Sequence, residues 1–151
     1  MKKKEVALVY GITNNYVDKL ANVLIGLTEK SKKFWDDIIV LHNGISDKNK
    51  KMINEIVNCN FIEIKRDDFM AMINEEAANL YSVAAFFRYE CFNFLKNYRK
   101  IIWSDVDVLY QKDLSDILQY ANTKDMAAVK ALEEYSVINN FYDIVEDYDM
   151  F

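Results

Sequence analysis

The run Val6 to Tyr10 is apolar at every position, in a stretch too short for a helix. A strand without a polar face must be buried on both sides, as happens in a mainly parallel sheet covered by helices. The rest of the chain supplies what such a sheet needs. From Tyr16 to about Glu29, Val17, Leu20, Ala21, Leu24 and Leu27 recur at helical spacing. Asn15 is the predicted N-cap, and Asp18 falls in the first turn, where negative charge suits the positive helix end. Ile38 to Leu41 is a second apolar run, broken by His42-Asn43-Gly44. Ser46 then opens a helix carrying Met52, Ile53, Ile56 and Val57 on one side. Phe61 to Ile64 predicts a third strand and Lys100 to Trp103 a fourth. Between them, an aromatic-rich helix from about Ser82 to Leu95 turns Ala85, Phe86, Tyr89, Phe92 and Phe94 mostly inward. Asp113 is expected to cap a short helix to about Tyr120, and Met126 to Val129 to add a strand. Ile144 to Met150 has no clean period. Alternation of this kind predicts an α/β fold: a Rossmann-like, mainly parallel sheet flanked by helices on both faces.

A chain of 151 residues suits one domain, expected here over residues 1–151. Three glycines, no proline and 14% aromatic residues exclude collagen-like, linker-rich and disordered classes. The net charge of -5 repels a phosphate backbone, so no nucleic-acid partner is expected. No apolar run approaches the roughly 20 residues that span a bilayer, which leaves only peripheral membrane contact. Lys2, Lys3 and Lys4 are too few for stable anchoring, and the apolar run after them reads as a strand rather than a signal peptide. Cys59 and Cys91 lack a second Cys or His at ligand spacing and read as reduced core residues. A reducing compartment follows, with the cytoplasm expected and contact at the inner face of the membrane left open.

Ligands of parallel α/β sheets lie beyond the carboxyl ends of the strands, which singles out Gly11 to Asn15 and Ser104 to Tyr110. The second loop holds Asp105-Val106-Asp107. Residues two apart on an extended chain share a face, so one cation could bridge both carboxylates. Like charges so close are costly unless a positive ion sits between them, and all-oxygen ligands select a hard ion, Mn²⁺ or Mg²⁺. The pattern alone is weak. Random placement of the chain's Asp residues yields about 1.3 such pairs, and Asp147 with Asp149 forms a second one. That pair lies in an acidic tail without strand character and is set aside. His42, the only histidine, reads as a strand-end residue, since a lone His without partners is poor site evidence.

The wider context is more specific. The stretch Lys100-Ile101-Ile102-Trp103-Ser104-Asp105-Val106-Asp107-Val108-Leu109, followed by Lys112-Asp113-Leu114-Ser115-Asp116-Ile117, resembles the DxD region of glycosyltransferase family 8. Three further stretches agree with that family in kind and order. Val9 to Tyr16 resembles its first nucleotide-binding loop, Leu41 to Ser46 its second strand end, and Ser82 to Arg88 its Ser-to-Arg helix.

The resemblance implies a GT-A type fold and a metal-dependent glycosyltransferase. Such an enzyme moves a sugar from a nucleotide-sugar, a UDP-sugar, to the hydroxyl of a carbohydrate or glycolipid acceptor with retention of anomeric configuration. It places Asp105 and Asp107 on the metal. It places Gly11, Ile12, Thr13, Asn15, Tyr16, Arg88, Asp105 and Val106 around the nucleotide. Two of these have plainer roles by residue type alone, Asn15 as helix cap and Tyr16 as a first-turn aromatic. Arg88 needs an acidic partner, either the donor's phosphate or sugar end or a DxD carboxylate. The matched stretches cover nearly this whole chain but about the first half of a typical member, so the fold is expected to be truncated. Members continue into a segment beginning approximately "FNsG", which forms the acceptor side and later supplies a His to the metal. The residues matching that continuation are not in this sequence, no nucleophile is assigned, and these 151 residues alone are expected to transfer sugar poorly. Two alternatives stay open: a catalytically inactive nucleotide-binding remnant, and a haloacid-dehalogenase-like phosphohydrolase. The second carries its Asp-x-Asp on the first strand, whereas here the motif follows the fourth.

Overall fold

The structure is a computed structural model and describes residues 2–65 and 83–120. The chain divides into two compact units, Met1–Asp113 and Leu114–Phe151. In the first, β1 (Lys4–Ile12), β2 (Asp37–His42), β3 (Asn60–Glu63) and β4 (Tyr98–Trp103) form one sheet in the order β3-β2-β1-β4. Every pairing is parallel, with Val9 of β1 opposite Ile39 of β2 and Trp103 of β4.

As its sequence requires, β1 is buried on both faces. Ala7 and Val9 join Ile39, Leu41, Phe87 and Tyr98 in one apolar cluster, against which Ala84, Phe86, Phe94 and Trp103 pack. Val6, Leu8, Tyr10 and Ile12 point the other way by the two-residue period of a strand and are also buried. Helix α1 (Val17–Lys30) lies on that side: its Gly26 stands beside Tyr110, whose hydroxyl meets that of Tyr10. The buried stripe of α1 is Val17, Leu20, Val23, Leu24 and Leu27, and burying each of its leucines contributes about 1.5–3 kcal/mol. Helix α2 (Asp47–Ile56) begins as read, with Ser46 Oγ accepting from the Asn49 backbone N–H at 3.3 Å.

Four local expectations are corrected. Asn15 is not the cap of α1, because the chain first makes a 3-10 turn over Asn14–Tyr16, closed by Tyr16 N donating to the Thr13 carbonyl at 3.0 Å. Tyr16 therefore stands at the cap position, with no side-chain cap bond. The neighbouring Asn14 works outward, its Oδ1 accepting from Ser46 N at 3.3 Å and Asn49 Nδ2 at 3.0 Å. The aromatic segment is not one helix but α3 (Val83–Phe86), a 3-10 stretch Phe87–Glu90 and α4 (Cys91–Phe94). Three residues per turn instead of 3.6 rotate the face, so Phe87 is fully buried while Tyr89 and Phe92 are 59% and 64% exposed. Strand β4 starts two residues before Lys100, where Tyr98 pairs with Lys4 of β1 and donates its hydroxyl to Asp37 Oδ2 at 2.6 Å. Finally, α5 of the second unit is Ile117–Tyr120 and begins four residues past Asp113. The Asp113 carboxylate instead accepts from Ser31 Oγ at 3.0 Å. The expectations for 126–129 and 144–150 lie outside the described residues.

Both cysteines are free, and burial pushes their thiols up to about 12 for Cys59 and about 11 for Cys91, so neither is poised to react. Among the described residues, no helix is long and apolar enough to cross a membrane.

Chain direction marks where a ligand can enter. From β1 the sheet grows one way through β2 and β3, while β4 lies on the other side of β1. The crevice at such a switch point opens beyond the carboxyl ends of the two strands involved, here Ile12 and Trp103.

Candidate active site

An open cleft of about 160 Å³ occupies that switch point. Its first wall is the carboxyl end of β1 and the turn after it, with Gly11, Ile12, Thr13 and Tyr16. Ala84, Ala85 and Arg88 of the segment over the sheet form the second, and Trp103 at the end of β4 with Asp105, Val106 and Asp107 after it the third. Of the residues expected from the sequence, Gly11, Ile12, Thr13, Tyr16, Arg88, Asp105, Val106 and Asp107 therefore share one cavity. Asn15 is exposed and does not line it.

The Asp-x-Asp segment is not a regular strand. Residues 106 and 107 lie in a bend, yet both carboxylates are exposed on the cleft. Asp105 is held from two sides. The Trp103 indole Nε1–H donates to its Oδ1 at 3.0 Å, and Arg88 Nη2 stands 3.7 Å from the same atom. Arg88 is itself oriented by Nε donating to the Ala85 carbonyl at 2.9 Å, with its guanidinium 5.6 Å from the Trp103 ring centre. The Arg88 and Asp105 side chains are 49% and 57% exposed, so water screens the pair and its net worth is at most about 1 kcal/mol. A group held that weakly can exchange a carboxylate for a phosphate at little cost.

Trp103, Ala84 and Ala85 are the cleft residues that sequence reasoning missed. Trp103 had a legible signal: it stands two positions before Asp105, and residues so spaced at the end of a strand share a face. Its ring lies against Gly11. A Cβ at Gly11 would collide with Trp103 Cη2 and stand 3.2 Å from the Ala84 carbonyl oxygen.

Among the described residues, no group of three or more His, Cys, Asp or Glu side chains comes together as a metal centre. Two exposed carboxylates on one cleft wall still suit a hard cation that takes its remaining ligands from diphosphate oxygens and water. They do not suit a soft or fully caged ion.

His42 has a structural role at the end of β2. Its Nδ1 accepts from the backbone N–H groups of Gly44 at 3.1 Å and Ile45 at 3.2 Å, closing the turn in which Gly44 adopts φ +121°. Burial, helped by Lys50 and opposed by Glu63, holds its pKa below the ordinary 6.5. The unfolded chain therefore binds a proton here that the folded chain resists, and this share of stability is lost as pH falls below 6.5. Melting temperature should drop between pH 7.5 and 5.5, with a shallower slope in His42→Asn, whose Oδ1 can take the same two N–H groups. An identical slope in that variant would assign the drop to other groups.

Comparison with known proteins identifies the family and the fold. The model of the family described as Glycosyl transferase family 8 matches residues 7–147. The solved galactosyltransferase LgtC, in complex with donor and acceptor sugar analogues, superposes with a TM-score of 0.71 at 19% identity, over 91% of this chain and 51% of that one. Its active-site mutant Q189E gives 0.61 at 20% identity, over 74% and 41%. The bifunctional glycosyltransferase WbbM in its apo form gives 0.57 at 18%, over 87% and 24%. At these identities the likeness establishes the fold, the GT-A arrangement, and the chain spans about half or less of each of these structures. No curated protein matches the chain.

Proposed function

Because the chain belongs to glycosyl transferase family 8, we propose that residues 1–151 act as the nucleotide-sugar side of a glycosyltransferase. The donor is a UDP-sugar, the acceptor a hydroxyl of a carbohydrate or glycolipid, and the anomeric configuration is retained. Mn²⁺ or Mg²⁺ is held by Asp105 and Asp107. The reaction is placed in the cytoplasm, with any membrane contact peripheral and at the inner face.

The observation that carries this reading is the convergence at the switch point. The loop after β1, Arg88 and both carboxylates open on one cavity, although they come from three separate stretches of chain. Each residue has work suited to its chemistry. Gly11, which lines the cleft, leaves room for the Trp103 ring that walls it. Thr13 presents a hydroxyl that can bond a base or ribose edge, and Tyr16 an aromatic body beside it. Arg88 exchanges Asp105 for the donor's diphosphate and offsets the negative charge that grows as the sugar departs. Asp105 and Asp107 supply oxygen ligands. When bound, a divalent ion there provides Lewis-acid neutralisation of the leaving diphosphate.

Calorimetric titration of UDP tests this. Affinity should rise at least about tenfold, a gain of about 1.4 kcal/mol, when Mn²⁺ replaces EDTA. Equal affinity in both conditions would refute the metal assignment, and no binding in either would refute the nucleotide site.

A further inference from the structure

The loop that carries both carboxylates is fastened at its two ends by side chains. Tyr110 donates its hydroxyl to Ser104 Oγ at 2.9 Å, closing residues 105–109 into a ring of chain. Ser104 Oγ in turn donates to the Asp105 carbonyl oxygen at 3.0 Å, while Ser104 N donates to the Val9 carbonyl and continues the ladder from β4 onto β1. Below Tyr110 the chain of hydroxyls runs into the core. Tyr10 Oη lies 3.0 Å from Tyr110 Oη, and Tyr10 is fully buried.

The direction of these bonds is fixed by counting protons. Each hydroxyl has one to give. Ser104 gives its proton to the Asp105 carbonyl and Tyr110 gives its own to Ser104, so Tyr10 must be the donor to Tyr110. The relay therefore starts at a phenol inside the sheet and ends on the backbone of the first carboxylate residue. Hydroxyls that donate and accept in series polarise one another, which strengthens such a chain beyond isolated bonds.

We propose that Tyr10, Tyr110 and Ser104 are positioning residues: a hydroxyl clasp that pre-forms the Asp105–Asp107 loop for its cation. The clasp rests on the metal-binding reading of that loop given above. Ordering a loop before the ion arrives spares the binding event that entropy, so losing the clasp weakens cation binding. One net hydrogen bond corresponds to about a three- to tenfold change in affinity.

The test uses Ser104→Ala, Tyr110→Phe and the double variant Tyr10→Phe/Tyr110→Phe in the full chain, with melting temperature and UDP calorimetry in Mn²⁺ and in EDTA. Tyr110→Phe leaves the Tyr10 hydroxyl buried without its partner and should lower the melting temperature. The double variant removes that orphan and should recover most of the loss. In all three, UDP affinity in Mn²⁺ should fall about three- to tenfold while affinity in EDTA stays at the wild-type value. Wild-type affinity in Mn²⁺ for a folded double variant would overturn the clasp and leave the metal site standing. A wild-type chain indifferent to Mn²⁺ would overturn the metal reading and the clasp with it.

Discussion

Asp107→Ala should abolish the Mn²⁺-dependent part of UDP binding while leaving the fold untouched. Among the described residues Asp107 makes no ion pair or side-chain hydrogen bond, and it is exposed, so its replacement should move stability by no more than about 0.5 kcal/mol. Supporting residues around bound metals cost about 10–100-fold in affinity when lost, and a direct oxygen ligand should cost at least as much. Asp105→Ala should be equally severe in binding but less clean. That carboxylate also takes the Trp103 indole proton and faces Arg88, so its removal leaves a donor and a cation facing an empty position. Calorimetry beside thermal melting separates the two variants. Mn²⁺-dependent binding that survives Asp107→Ala would move the cation elsewhere.

Gly11→Ala should damage both stability and binding. The added methyl meets the far edge of the Trp103 ring and crowds the Ala84 carbonyl oxygen. A ring edge can tilt, but this one is tied down: its Nε1–H holds Asp105 Oδ1, and its aliphatic neighbours belong to the core cluster of β1 and β2. Overpacking at a constrained position costs about 1–3 kcal/mol, or roughly 4–8 °C in melting temperature per kcal/mol for a unit near this size. Whatever tilt relieves the clash draws the indole away from Asp105, so UDP affinity in Mn²⁺ should fall as well. Trp103→Phe combined with Gly11→Ala should recover part of the stability, because the smaller ring leaves room for the methyl. No recovery would show that the Ala84 carbonyl sets the limit.

The sheet was legible because burial on both faces leaves a plain trace, an apolar run with no alternation, and β1 and β2 carry it. Ser46 was legible because a serine ahead of an amphipathic stretch has few other uses. Asn15 misled because its role depends on whether the chain enters α1 directly or through a 3-10 turn, a choice settled by where β1 releases the chain. Tyr89 and Phe92 misled for a related reason. Aromatic periodicity gives the face only if the turn stays at 3.6 residues, and the 3-10 stretch Phe87–Glu90 breaks that count. At the site, spacing and a place after a buried strand pointed only weakly to Asp105 and Asp107, and it is the family resemblance that singled them out together with Arg88. The contact of Trp103 with Gly11 joins residues 92 positions apart and depends on the pairing of β1 with β4, which no local pattern encodes.

On this reading a divalent cation and a uridine diphosphate meet in the cleft between the ends of β1 and β4. Paramagnetic broadening of backbone amide signals by Mn²⁺, in the presence of UDP, reads the ion's position directly. Signals of residues 104–108 should disappear first, followed by those of 11–13 and 84–88, with β3 and the far end of α1 unaffected. Broadening centred on any other part of the sheet, or spread evenly over the acidic surface, would contradict it.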